Sequence, residues 1–282
     1  MVERRPFLNI LTHLVLIAGV LVVAFPVYVA FIASTHESSA FVRGVLPLLP
    51  GDNMFASYRQ MLSSGWQVGG TPPVWLMLGN SLIMALTIAI GKIAISIISA
   101  FAIVYFRFPF RMLAFWIIFI TLMLPVEVRI IPTYAVVANL GMLNSYAGLT
   151  LPLIASATAT FLFRQFFMTV PEELMEASRV DGAGPMKFFK DILLPISITN
   201  IAALFVIMFI YGWVQYLWPL LVTTDEDFYT IVLGIKRLMA SSDRVPAWNL
   251  IMATVTLAML PPVLVVLFMQ KLFVKGLTET EK

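Results

Sequence analysis

Few side chains in this sequence could act on a ligand, and they lie in or beside long apolar runs. Lys92 follows Gly91 near the middle of such a run, with Thr87 and Ser96 close by. An ionisable group in hydrocarbon costs several kcal/mol on insertion scales, so it marks a candidate site. It either packs against a partner carboxylate, snorkels to the interface, or meets an anion. Glu127 and Arg129 lie between Pro125 and Pro132. Two residues apart, they would face different sides of a regular helix. Trp213, Gln215, Tyr216 and Trp218 combine aromatic faces with an amide near the end of another apolar run, a pattern that also fits an interfacial aromatic belt. His13 and His36 are in separate segments, so no His-x3-His metal pair exists. No Gly-x4-Gly-Lys-Ser/Thr loop is present, and Gly91-Lys92 lacks its glycine spacing. We therefore expect no catalytic residue, no metal site and no ATP hydrolysis by this chain.

The composition says what carries these groups. Of 282 residues, 60% are hydrophobic and only 12% charged, with a mean hydropathy of +0.95. Soluble domains carry about 25% charged residues. This chain cannot cover itself in water and reads as an integral membrane protein. Cysteine is absent, so disulfides and thiolate metal sites are excluded. The net charge of +3 is small, and no basic groove for nucleic acid is evident.

An apolar run that crosses a bilayer as a helix needs ~20 residues. The sequence predicts six such spans, at about 14–33, 80–105, 112–136, 146–167, 196–222 and 249–270. The first is too long for a secretory signal and is expected to be retained, kinked or ended near Pro26. Residues 34–75, rich in proline and glycine, suit an external loop with short interfacial helices. The fold expected is all-α and polytopic, a single transmembrane domain over residues 1–282. Basic residues set the orientation. With both termini on one side, that side holds Arg4, Arg5, Arg107, Arg111, Arg164, Arg179, Lys187, Lys190, Lys271, Lys275 and Lys282. The other holds Arg43, Arg59, Arg129, Lys236, Arg237 and Arg244 in longer loops. The bias places both termini, and residues 169–195, in the cytoplasm. No half-protein repeat is found, which weighs against a secondary transporter.

That cytoplasmic loop is the best-charged passage of the chain. Thr169-Val170-Pro171-Glu172 has the form of a capping box, and Glu172 and Glu173 suit the positive end of a helix dipole. The helix is expected to run to about Val180 and stop at Gly182, which can take a left-handed conformation. Pro185 can open a second short helix carrying Met186, Phe188 and Phe189 and ending at Pro195. On these grounds alone the loop could equally be a helix pair anchored at the membrane surface.

The spelling of the loop is more specific. Glu176-Ala177-Ser178, three residues, Gly182, nine residues, then Ile192-x-Leu194-Pro195 resembles the EAA signature of ABC importer permeases, with Ser178 where an alanine is usual. Further segments resemble the carbohydrate-uptake (MalG-type) branch: Arg107-Phe-Pro-Phe-Arg111, Ile131-Pro132-x-Tyr134, Leu140-Gly141-x-Leu143, Tyr146-x-Gly148-Leu149 and Trp213-x-Gln215-Tyr216. The stretches 121–130, 155–167 and 216–220 are most similar to permeases of glycerol-3-phosphate importers of Gram-negative bacteria.

The resemblance implies a bacterial inner-membrane permease whose loop is a coupling helix seated in a cytoplasmic ATPase. Glu176, Ala177, Ser178, Asp181, Gly182 and Ala183 would be its ATPase-coupling residues. The implied partners are a second, different permease subunit, two copies of the ATPase, a periplasmic binding protein and membrane lipid, with ATP and Mg used by the ATPase. For a phosphate ester, Lys92, Glu127, Arg129, Trp213, Gln215 and Tyr216 become candidate path residues, a guanidinium being suited to charge-assisted bonds. Glu127 and Arg129 could instead touch the binding protein. Uptake of a neutral sugar by the same machinery, or a stand-alone secondary transporter, are the alternatives.

Overall fold

The computed structural model describes residues 6–42, 48–66, 70–121, 124, 126–240 and 246–279. In chain order its helices are α1 (Pro6–Ser34), α2 (Ser38–Val42), α3 (Met54–Ser63), α4 (Val74–Tyr105), α5 (Arg111–Ile120), α6 (Val126–Asn139), α7 (Tyr146–Thr150) and α8 (Ala157–Thr169). They continue as α9 (Glu172–Val180), α10 (Pro185–Phe188), α11 (Leu194–Ile196), α12 (Ile198–Trp213), α13 (Leu217–Val222), α14 (Ile231–Ala240) and α15 (Trp248–Glu279). The protein is an all-α polytopic membrane protein. Glu127, Pro125 and the basic residues Arg4, Arg5, Arg43, Arg244, Lys275 and Lys282 have side chains outside the described residues.

Three helical stretches are long and apolar enough to cross a membrane: Phe7–Ser34, Val74–Tyr105 and Trp248–Leu272. Two bent pairs reach that standard together, Tyr146–Leu153 with Ala157–Thr169 at 46°, and Pro185–Ile196 with Ile198–Trp213 at 71°. The remaining apolar stretches differ from the expected spans. The run expected at 112–136 is divided between α5 and α6. The run expected at 196–222 breaks over residues 214–216 and restarts as α13. Pro219 gives the reason: it has no N–H to donate to the residue 215 carbonyl, and its ring crowds that carbonyl. At Pro26 the first helix neither ends nor breaks, and α1 continues to Ser34.

The chain forms two compact units, residues 1–76 with 234–260, and residues 77–233 with 261–282. In the first unit α1 is apolar all round and only 6% buried over its most apolar window, which is what a lipid- or partner-facing helix presents. Its C-terminal end is held by polar contacts. The Thr35 hydroxyl accepts from the Gly51 N–H at 2.8 Å, and the Ser34 hydroxyl is 2.9 Å from that of Tyr58. The Asn249 amide at the start of α15 donates to Ser57 Oγ at 3.0 Å and accepts from Ser38. The loop at 34–75 is therefore tied down by its serines and threonines.

The second unit packs around Met84, Ile88, Ile130, Val137, Leu149, Trp218 and Val222. Asn80, 1% exposed on α4, donates to the carbonyls of Asp227 and Tyr229 at 2.8 and 3.0 Å and accepts from the Tyr146 hydroxyl at 2.7 Å. Trp218 donates from its indole N–H to the Gly148 carbonyl at 3.1 Å. Gly148 has no room for a side chain, since a Cβ there would lie 2.1 Å from the Met142 carbonyl oxygen. Replacing Gly148 by alanine must push that backbone away, at a cost of ~1–3 kcal/mol. We expect the Gly148→Ala protein to show a lowered unfolding midpoint in detergent, and an unchanged midpoint would contradict the packing.

Candidate functional site

The loop at 169–195 folds as two short helices around one turn, but its first cap is not the one expected. Thr169 remains the last residue of α8, and its hydroxyl donates to the Phe166 carbonyl at 2.7 Å. The N-cap position of α9 is taken by Pro171, with no side-chain cap. The capping box does not form. Glu172 and Glu173 still occupy the first turn and Arg179 the last, matching the helix dipole.

The other end closes as predicted. Gly182 has φ +73°. Its N–H donates to the Arg179 carbonyl at 3.0 Å, and the Ala183 N–H donates to the Ser178 carbonyl at 2.9 Å. That pair of bonds is the Schellman closure, which satisfies the helix's last carbonyls and needs a left-handed residue at Gly182. Asp181 is the C-cap. Beyond it, α10 runs through a π turn at Phe189–Leu193 into α11. Pro195 falls inside α11 rather than ending the preceding helix. The π turn lies where Pro195 can give no N–H to Asp191.

The surface of α9 has two faces. Glu173, Glu176 and Ala177 are exposed, together with Leu174 at 39% and Val180 at 88%. An apolar patch bordered by carboxylates fits a docking face. The opposite face carries Glu172, Met175, Ser178 and Arg179, which line a cavity of about 860 Å³. Ser178, expected to be a tolerated stand-in for alanine, is 4% exposed, and its hydroxyl has no hydrogen-bond partner.

Of the candidate path residues, the structure brings Arg129 and Gln215 together and places Lys92, Trp213 and Tyr216 outside the cavity that those two line. Lys92 is 7% exposed, and its ammonium lies 3.7 Å above the centre of the Tyr211 ring. Among the described residues no carboxylate pairs with it. The carbonyl of Tyr211 accepts from the Gln215 amide at 3.1 Å. Gln215 and Arg129 line one small cavity of about 80 Å³, with Thr133 and Trp218. Arg129 is exposed, and Lys92 is not among the residues that line that cavity. Trp213 is 4% exposed and stacked on Phe209, centroids 5.7 Å apart, so it serves the packing of α12. Tyr216 is half-buried and does not line that cavity. The backbone of Glu127 lies in the first turn of α6. Tyr211 was not singled out from the sequence, although the four-residue step from Gln215 puts it on the same helix face. Arg164 stacks its guanidinium 4.3 Å over the Phe115 ring.

Bent apolar helices, a closed two-helix loop and a buried lysine fit a transport permease. The family described as the binding-protein-dependent transport system inner membrane component matches residues 92–279, and the chain belongs to it. It is 58% identical over 282 residues, all of both chains, to a Brucella melitensis protein named sn-glycerol-3-phosphate transport system permease protein UgpE. The proteins of that name from Agrobacterium fabrum and Escherichia coli O157:H7 are 58% and 57% identical, again over the whole of both chains. Its fold is that of a chain in a bacterial ABC transporter that imports the acidic polysaccharide alginate, with a TM-score of 0.79 and 19% identity over 96% of this chain and 98% of that one.

A cation over an aromatic ring in a desolvated setting is worth ~2 kcal/mol. Tyr211→Leu is expected to lower stability by about that amount, whereas Tyr211→Phe keeps the ring and leaves it nearly unchanged. Thermal unfolding of the two variants checks this, and equal losses would contradict the role of the ring face.

Proposed function

We propose that this chain is a permease subunit of an ATP-driven, binding-protein-dependent importer of sn-glycerol-3-phosphate and related glycerophosphodiesters. The observation that carries the substrate is Lys92, buried over the Tyr211 ring with no described carboxylate to neutralise it, in the same unit as the cavity that Arg129 and Gln215 line. A phosphate ester supplies the missing charge and accepts charge-assisted hydrogen bonds. The names of the full-length relatives at 57–58% identity support the same substrate.

In this reading the chain pairs with a second permease subunit and with two copies of a cytoplasmic ATPase, and a periplasmic protein delivers the substrate. Both termini are cytoplasmic. Six crossings result if α5 and α6 form one broken crossing beside the three long helices and the two bent pairs. The exposed face of α9, with Leu174, Glu176, Ala177 and Val180, docks on the ATPase. Asp181, Gly182 and Ala183 hold the turn through which its motion reaches α10–α12, and Ser178 supports the helix from the inner side.

Two sets of variants test the two halves separately. Gly182→Pro and Glu176→Lys are expected to abolish uptake while the protein remains in the membrane at its usual level, and normal uptake would refute the coupling role. Lys92→Met and Arg129→Gln are expected to lower uptake of radiolabelled sn-glycerol-3-phosphate by roughly tenfold or more each, one lost charge-assisted contact being worth ~1.5–3 kcal/mol. Undiminished uptake in both would refute the anion path.

A further inference from the structure

The 860 Å³ cavity behind α9 is not used by either of those roles. It lies on the inner side of the helix, away from Leu174 and Val180. Arg107, Arg111 and Arg179 line it, and Glu172 is the one carboxylate among the lining residues. Arg111 spends one N–H on the Phe106 carbonyl at 3.3 Å, leaving further donors on its fork. The cavity is thus basic on balance. Arg107 and Arg179 are exposed and Arg111 is partly exposed, so their free donors are open to a ligand.

The rest of the lining says what kind of ligand. Tyr105, Phe167 and Phe188 form an aromatic wall, with Tyr105 centroids 6.1 Å from Phe167 and 5.3 Å from Phe188. Tyr105 ends the long apolar helix α4, and Phe167 lies in the last turn of α8. Arg107 and Arg111 follow α4 at once. The cavity therefore sits at the depth where a span meets water, with guanidinium groups at its rim and apolar rings inside. That gradient matches an amphiphile with an anionic head, and basic pockets at this depth suit anionic lipid headgroups. Its volume also exceeds what a free phosphate would fill.

We infer that this cavity binds the phosphate headgroup of an anionic phospholipid, held by Arg107, Arg111 and Arg179. The lipid would brace α9 from behind while its other face is docked, making coupling sensitive to lipid charge.

Native mass spectrometry of the assembled importer, purified in detergent and incubated with phosphatidylglycerol or phosphatidylcholine, tests this. Phosphatidylglycerol should be retained in preference to phosphatidylcholine. Arg107→Gln combined with Arg111→Gln should weaken its retention by roughly 10- to 30-fold, as expected for two basic groups lost from a lipid surface. Arg59→Gln, exposed on α3, should leave it unchanged. Arg179→Gln, which removes one guanidinium and keeps the helix, should weaken retention in the same direction if the double variant fails to assemble. Equal retention by Arg107/Arg111 and parent proteins would overturn the proposal. So would displacement of the lipid by free sn-glycerol-3-phosphate, which would mark a soluble phosphate ester as the ligand, or a cavity closed by a partner subunit with no lipid bound. Because the readout is bound lipid rather than uptake, it stands or falls apart from the transported substrate.

Discussion

A chain in hydrocarbon must satisfy its own backbone, and that constraint shapes every break in these helices. Where α6 ends, Asn144 turns with φ +50° and its side-chain oxygen accepts the N–H groups of Thr224 and Asp225 at 2.7 and 3.0 Å. Ser145 caps α7 through the Gly148 N–H at 3.0 Å, and Ser156 caps α8 through that of Ala159 at 3.3 Å. Hydroxyls within helices bond back to their own turn, as Thr160, Thr223 and Thr254 do at 2.7–2.9 Å. The irregular segments are thereby as well bonded as the regular ones, and the bends can hold a fixed shape.

Against that background Lys92 stands out. Among the described residues its charge is met by the face of a tyrosine and by no carboxylate. A fold that only needed packing there would do better with an apolar side chain, because burying an ion costs several kcal/mol. The same logic separates the two faces of α9. Apolar side chains left in water at Leu174 and Val180 face outward, while the other side carries Glu172, Met175 and Arg179 toward a cavity. In the proposed function, substrate choice and mechanical coupling belong to different parts of the second unit.

What the sequence made legible was what depends on local physics. Gly182 takes the left-handed turn that its place after an amphipathic helix demands, and the apolar runs at Phe7–Ser34, Val74–Tyr105 and Trp248–Leu272 became long helices. The family signature pointed to the class of transport permease. Elements decided by competition were harder to read. Thr169 can cap α9 or finish α8, and Pro171 settles it by taking the cap position itself. The break at 214–216 lay hidden in a continuous apolar run, although Pro219 was its signal. The meeting of Lys92 with Tyr211 joins residues 119 positions apart on two crossing helices. The crossing is close, since a Cβ on Gly212 would lie 2.9 Å from the Ala85 Cα. No periodicity announces such a contact.

The most direct measurement is ATP-dependent accumulation of radiolabelled substrate in proteoliposomes holding the assembled complex and its binding protein. The account predicts accumulation of sn-glycerol-3-phosphate that requires the ATPase and is not matched by a neutral disaccharide. Preference for the disaccharide, or equal transport by this chain alone without ATP, would contradict it.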